Sequence, residues 1–212
     1  MPSSHEPERA PLSREGILAA ALRLVDREGL EALTMRRLGA EIGVEAMSLY
    51  HHVSSKAAVL DGLHEAILAE MPPLGGEPDG LEALRGMARG FARVLGAHPR
   101  ALPLFATRPA VTPASLRHVE TALAVLERLG LGPDESVSAF QVLVTFVVGH
   151  ALSRFAPAAG GEVSPARYED LPPAEFPRLS ALAAALATHD PEAELELGLD
   201  LFLGGLRARL RR

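Results

Sequence analysis

The sequence predicts an all-α protein of about ten helices, and three observations predict it. Apolar residues recur at i, i+3, i+4 and i+7 in one segment after another of the 212-residue chain. That is the period of an amphipathic helix. Ser, Thr or Asp stands where several segments would begin, and Gly or Pro where they would stop. No stretch alternates as a strand would, and there is no internal repeat or low-complexity tract.

The elements follow in order. Met1–Leu12 is polar and proline-bearing, an arm ahead of the fold, and its lone Arg9 makes it a poor minor-groove arm. Ser13 caps a first helix over 14–28, with Ile17, Leu18, Ala21, Leu22 and Val25 on its inner face. Thr34 caps a second, in which Met35, Leu38 and Ile42 share a face. Gly43 ends it, because glycine takes the left-handed conformation without Cβ strain. Val44 is then a buried turn residue, and Ala46–His52 form a third helix with Leu49 turned inward.

A fourth helix starts after Ser54 or Ser55 and runs to about Glu70, where Pro72-Pro73 stops it. Val59, Leu60, Leu63, Ile67 and Leu68 keep helical spacing along it. Met71–Gly80, rich in Pro and Gly, is a linker. Asp79 with Glu82 resembles a capping box for a fifth helix over 80–97. Pro99–Phe105 is a short helical piece. Thr112-Pro113 opens a seventh helix to about Leu129, since proline suits the first helical position. After a turn at 130–133, an eighth helix covers 135–155 and is strongly apolar: Val137, Phe140, Val144, Val147, Val148, Ala151 and Phe155. The 156–173 stretch is loop, and a ninth helix covers about 174–187. Asp190-Pro191 caps a tenth helix to about Arg209. Glu192 and Glu194 suit its positive end, and Arg207, Arg209, Arg211 and Arg212 its negative end.

Composition excludes several classes. With 48% hydrophobic and 23% charged residues a sizeable core is within reach. There are no cysteines, hence no disulfide framework, thiolate metal site or cysteine nucleophile. No apolar run reads as long enough to span a bilayer, and the N-terminus lacks a signal-peptide core, so a cytoplasmic location and no membrane partner are expected. The net charge of −6 argues against a protein that coats nucleic acid non-specifically. Even the first 60 residues carry seven basic and eight acidic side chains, so any DNA reader here concentrates its positive charge locally.

Two short helices, a glycine turn and a small second helix at 33–56 match a helix-turn-helix, which places its second helix in the DNA major groove. The surroundings are more specific. Gly29-Leu30, Leu33-Thr34, Arg36, Leu38-Gly39, Ile42-Gly43-Val44, Leu49-Tyr50-His51-His52-Val53 and Lys56-Ala57 closely resemble the N-terminal domain of TetR-family transcriptional repressors. The resemblance implies a three-helix DNA-binding domain at 13–60 and a helical ligand-binding and dimerisation domain at 61–212. It places Thr34, Tyr50 and Lys56 at phosphates, and Arg36 with Ala46, Met47, Ser48, His51 and His52 at base edges of double-stranded DNA. An arginine can grip guanine bidentately, whereas Ala46 and Met47 offer only apolar contact, as to a thymine methyl. Two readings of His51 and His52 stand: base edges, or contact with helix four or the DNA backbone alone. Lys56, the chain's one lysine, opposes the macrodipole at a helix start; a phosphate would explain it, and so would plain solvation.

The C-terminal half is similar to the tetracycline repressors themselves in Thr107-Arg108-Pro109, Leu123–Gly130, Val148-Gly149-His150, Glu196-Leu197-Gly198-Leu199 and Gly204-Gly205-Leu206. The resemblance implies an effector pocket with candidates Leu63, Ile67, Phe91, Leu95, Leu104, Thr107, Val119, Leu123, Phe140 and Val144, for each of which plain core is the competing reading. His150 supplies one polar contact there or sits hydrogen-bonded in the core. Tetracycline repressors hold the drug as a magnesium chelate, with a histidine three residues before Thr-Arg-Pro. Here that position is Leu104, and the histidine expected near the end of helix four falls on Met71–Pro73. Magnesium wants oxygen ligands, so no metal or cofactor is expected, and the effector is expected to be a small hydrophobic molecule. The resemblance also implies a homodimer through helices near 134–156 and 191–210, bound to a palindromic operator and released by the effector.

Two other classes were weighed. His64-Glu65 begins like HExxH, but residue 68 is Leu, and no GxSxG, P-loop or dinucleotide fingerprint is present, which speaks against an enzyme. Asp61 and His64, i and i+3 on helix four, are expected to make at most a surface contact. A helical module that senses ligand without reading DNA is disfavoured by the presence of Arg36, Tyr50 and Lys56.

Overall fold

A computed structural model describes residues 12–73, 80–156 and 168–211. The arm at 1–11, the Asp79 cap in the linker, and most of the 156–173 loop fall outside the described residues. Ten α-helices follow one another: α1 Arg14–Glu28, α2 Met35–Ile42, α3 Ala46–Leu49, α4 Lys56–Ala69, α5 Gly80–Ala97, α6 Leu102–Thr107, α7 Pro113–Arg128, α8 Pro133–Phe155, α9 Pro177–Ala187 and α10 Pro191–Arg209. Single 3-10 turns lie at Leu30–Ala32, Pro99–Ala101 and Tyr168–Asp170. The described residues contain no strand.

The helix starts follow from local chemistry. Ser13 accepts the Gly16 N–H at 3.1 Å, and Thr34 accepts that of Arg37 at 3.0 Å. Ser55, not Ser54, caps α4 by accepting the Ala58 N–H at 3.1 Å. Thr112 and Ser115 each accept the other's N–H, both at 3.2 Å. Asp190 accepts the Glu192 N–H at 2.9 Å. Each cap meets a donor the helix itself leaves unpaired. Three expectations change. The 99–105 piece divides into a 3-10 turn and α6. Helix α8 starts at Pro133, two residues early, and α9 at Pro177, three residues late, because proline at the first helical position costs no hydrogen bond.

The chain divides into two units, Met1–Pro73 with Arg93–Ala122 and Leu74–Ala92 with Leu123–Arg212. This division by contact places residues 61–73 and 93–122 with the N-terminal helices, whereas the sequence division at 60/61 follows chain order. In the first unit α1 lies against α2, α4 and the 99–101 turn. Its face buries Ile17, Leu18, Ala21, Leu24 and Val25, while Leu22 is half-buried. Leu38, Leu49, Val59, Leu63, Ile67, Leu102 and Leu104 are buried as well.

The same unit carries a polar clasp at the end of α1. His98 is buried, with Nδ1 2.9 Å from Asp26 Oδ1 and Nε2 3.2 Å from Glu70 Oε2. The Arg100 guanidinium donates to the Asp26 carbonyl at 3.1 Å and to the Arg27 carbonyl. Those carbonyls belong to the last turn of α1, where the helix has no partners of its own.

In the second unit Leu81, Leu84, Val125, Leu126, Leu131, Leu203 and Leu206 form the core, joined by Met87, Phe140 and Phe202. Arg85 reaches Asp200 at 2.6 Å and Glu196 at 3.3 Å, and Arg89 grips Glu196 through two bonds of 2.6 Å. Helix α8 is long and apolar enough to cross a bilayer by length and composition alone, which corrects the expectation that no such run exists; Ser138, Gln141 and Thr145 break up its apolar pattern in the sequence. A core helix of a soluble protein meets the same two criteria. Val137, Val142 and Phe155 on α8, and Leu197 and Leu201 on α10, are exposed. So is a face of α9 made by Leu179, Leu182 and Leu186, spaced i, i+3 and i+7.

The clasp predicts a pH dependence. Burial pushes the His98 imidazole down, but its hydrogen bonds to Asp26 and then Glu70 outweigh that and raise its pKa above 6.5. A group raised on folding stabilises fully below its unfolded pKa, and loses that contribution as pH rises through the folded value. Denaturant unfolding should therefore show wild type losing about 1 kcal/mol more between pH 6 and pH 8 than His98→Gln. Parallel pH dependences in the two proteins would remove the clasp's role in stability.

Candidate DNA-reading head and effector residues

The reading head is built from α2, a turn and α3. Gly43 takes φ 81°, ψ 34°, the left-handed region that glycine enters freely. The N–H groups of Gly43 and Val44 both donate to the Gly39 carbonyl at 2.9 Å, closing the end of α2. Gly39 lets the turn fold back closely. A Cβ there would stand 2.8 Å from the Val44 carbonyl oxygen and 3.1 Å from the Ala46 nitrogen. Val44 is half-buried, less than the sequence suggested.

Helix α3 is shorter than expected and stops at Leu49 rather than His52. After it the chain tightens: Tyr50 N–H donates to the Met47 carbonyl at 3.2 Å, and His52 N–H to the Leu49 carbonyl at 2.9 Å. These are i to i+3 bonds, the 3-10 kind. Leu49 is fully buried and Val53 nearly so, which pins both ends of this turn.

The candidate DNA-contacting side chains fall on one short segment and its flanks. Met47 is 70% exposed, and Tyr50, His51 and His52 are exposed. Ala46 and Ser48 are half-buried. Thr34 is exposed, with its hydroxyl already committed as the α2 cap. Lys56 is exposed at the first position of α4.

The two neighbouring arginines differ. Arg37 pairs with Glu28 at 2.5 Å and with Glu41 at 3.1 Å, and Arg27 pairs with the same two carboxylates, each at 2.8 Å. Hydrogen bonds from Arg37 and then Arg27 hold the Glu28 carboxyl below its usual range. Arg36 is exposed and, among the described residues, forms no ion pair. One arginine is spent inside the protein and the other is available. The sequence did not show this network, because its partners lie 9 and 14 positions apart.

The candidate effector residues distribute over both units. In the first, Leu63, Ile67, Leu95 and Leu104 are buried, and Val119 is half-buried. Thr107 is exposed, and its hydroxyl donates to the Pro103 carbonyl at 2.7 Å. In the second, Leu123 and Phe140 lie against the core, while Phe91 and Val144 are half-buried. His150 is half-buried and tilted against Phe146 at 6.4 Å between ring centroids.

Sequence reasoning placed His64 and Asp61 on an exposed face of α4, and here the structure corrects it. His64 is buried against Phe105, and Asp61 binds Arg108. The signal was present in the i, i+3 spacing of the pair, but the segment that covers them lies some 40 residues away.

The chain is similar to known proteins over most of its length. Residues 17–63 match the model of bacterial regulatory proteins, tetR family, and residues 72–210 that of the tetracyclin repressor-like C-terminal domain. The HTH-type transcriptional repressor DrrR1 of Streptomyces coeruleorubidus is 34% identical over 72% of this chain and 58% of its own length. The tetracycline repressor protein class C of Escherichia coli is 31% identical over 92% of this chain and 90% of its own. Among solved structures, the Streptomyces coelicolor TetR family protein ActR in complex with actinorhodin superposes with a TM-score of 0.84 at 30% identity, covering 96% of this chain and all of that one.

The close approach at Gly39 generates a test. Gly39→Val forces the Val44–Ala46 turn away from α2. It should lower the thermal midpoint by several degrees and remove sequence-specific DNA binding, whereas Ala40→Val, at an exposed neighbour, should do neither.

Proposed function

The chain belongs to the TetR family of bacterial regulatory proteins, and from that premise we propose that it is a repressor, binding a palindromic operator as a homodimer and leaving it when a small hydrophobic effector binds. It is a ligand-responsive DNA-binding regulator and not an enzyme. The observation that carries the proposal is the exposed edge of α3 and its flanks. Met47 and Tyr50, which a solvated surface does not need, are exposed, as is an Arg36 without an ion pair among the described residues, on a helix-turn-helix whose first helix Thr34 caps.

In this proposal residues 13–60 read DNA and 61–212 sense the effector and dimerise. Arg36, Ala46, Met47, Ser48, His51 and His52 face base edges, and Thr34, Tyr50 and Lys56 face phosphates. Half-sites one helical turn or more apart require two joined reading heads, because a four-residue helix spans few base pairs. The exposed apolar side chains of α8 and α10 supply the dimer surface; a lone solvated helix gains nothing from Val142 at 56% or Leu201 at 70% exposure. Of the apolar residues named, Leu63, Ile67, Leu95, Leu104 and Val119 of the first unit bound the effector site in this reading. A chain reading genomic DNA works in the cytoplasm. Effector binding displaces α4, which leads directly from the reading head, and so changes the spacing of the two heads.

Selection of genomic fragments by the purified protein, followed by footprinting, tests the proposal; a protected palindrome is expected, and no enrichment after refolding from denaturant would sink it. Arg36→Ala should weaken binding to that palindrome by roughly 5- to 150-fold while leaving non-specific binding nearly unchanged, and Arg37→Ala should change the specific term less. For the dimer, Leu201→Glu should halve the sedimenting mass and abolish operator binding at nanomolar protein. An unchanged mass would place the interface elsewhere.

A further inference from the structure

Two arginines beside the reading helix are closed into one ring with two glutamates. Arg37 on α2 forks onto Glu28 at the end of α1, with Nη2 2.5 Å from Oε1 and Nε 3.3 Å from Oε2. Arg27 on α1 forks onto Glu41 on α2, with Nη2 2.8 Å from Oε2 and Nη1 3.2 Å from Oε1. Cross-bonds complete the ring: Arg37 Nη1 donates to Glu41 at 3.1 Å, and Arg27 donates to Glu28 through Nη2 at 2.8 Å and Nε at 3.1 Å. All three nitrogens of each guanidinium are thereby engaged. An isolated exposed ion pair holds its partners weakly, but forked pairs joined into a network hold them in one geometry.

Fastening α1 to α2 is also the work of apolar burial: the two helices pack together, and Leu24 and Leu38 on them are fully buried. What the ring alone does is cancel charge. Between residues 26 and 56 the chain has four arginine and lysine cations, Arg27, Arg36, Arg37 and Lys56, and the ring neutralises two of them. Arg37 is also well placed to reach DNA. It follows Arg36 on the first turn of α2, and its N–H donates to the Thr34 hydroxyl at 3.0 Å. Arg36 and Thr34 are a base-edge and a phosphate candidate, so the Arg37 side chain starts from the end of α2 that meets DNA in that reading. Affinity for duplex of any sequence rises with each phosphate that a cation neutralises.

We propose that Glu28 and Glu41 are positioning residues that hold Arg37 and Arg27 off the DNA backbone, so that each head meets phosphates with two of these cations instead of four. The inference rests on the DNA-reading half of the proposed function and adds what limits the protein's hold on DNA of any sequence. Glu28→Gln keeps the shape of the side chain and one acceptor oxygen, but removes the charge that competes with a phosphate for Arg37.

The test measures binding of the full-length protein to a duplex of arbitrary sequence between about 50 and 200 mM salt. Glu28→Gln and Glu41→Gln should each bind it at least about fivefold more tightly than wild type, and the slope of log affinity against log salt should steepen by about one per head. Glu31→Gln removes the same charge from an exposed residue that has no ion pair among the described residues, and it should leave the slope unchanged. Adding Arg37→Ala to Glu28→Gln should restore the wild-type slope. A ring that only fastens the two helices predicts otherwise, because Arg37→Ala and Glu28→Gln break the same bonds and would act alike. Should Glu28→Gln fail to fold by circular dichroism, Glu41→Gln decides. Unchanged slopes, a steepening equally large in Glu31→Gln, or one that survives Arg37→Ala would overturn the inference. No binding of any duplex by wild type or variants would retire the reading head along with it; binding with unchanged slopes would retire this inference alone.

Discussion

The C-terminal end of α1 is the constraint on which the rest of the first unit depends. A helix end carries unmet carbonyls and a partial negative charge. This one adds Asp26 and Glu28 in its last turn, which makes the end less favourable still. Only Arg27 answers locally. The remaining cations come from elsewhere in the chain: Arg37 from α2, and His98 with Arg100 from the corner after α5. Satisfying one helix end therefore fastens α1 to the reading head on one side and to the corner before α6 on the other. His98 extends the fastening to α4 through Glu70.

The same demand explains how an acidic chain can read DNA. Arg27 and Arg37 are held by Glu28 and Glu41, so they contribute little net field at the surface. What faces outward is Arg36, Lys56 and an edge of neutral side chains on α3. Such a head has little to offer phosphates in general. The proposed base-edge contacts would then carry more of its discrimination, which suits binding that depends on one sequence and falls away elsewhere.

Much of this was legible in the sequence, for local reasons. Ser13, Thr34 and Asp190 act on donors two or three residues away, and Gly43 on its own dihedrals, so a short window contains everything that decides them. The length of α3 was not legible, because the choice between α and 3-10 winding at Tyr50–His52 is made by burying Leu49 and Val53 together. Nor was the burial of His64. Its neighbours Leu63, Ile67 and Leu68 mark the inner face of α4, but whether a polar residue at the margin of that face is covered depends on Phe105. The pairs that fasten the elements span 47 positions for Asp61–Arg108, 72 for Asp26–His98 and 111 for Arg85–Glu196, beyond any periodic pattern.

Helix α4 is held near its middle by Asp61–Arg108 and at its end by Glu70–His98. Both pairs are partly solvated, and pairs of that kind are worth on the order of 1 kcal/mol or less each. The buried leucines of α4 set a far larger barrier to pulling it away than to sliding it, since a small slide keeps most apolar contact while re-aiming the charged groups. A fastening of that strength suits a switch. Moving a two-state equilibrium from one side to the other needs a ligand with about 5.5 kcal/mol of differential affinity. A tether of several kcal/mol more would exceed what one small effector can supply, whereas in the proposed switch these two pairs would leave most of its binding energy to act on the position of α4.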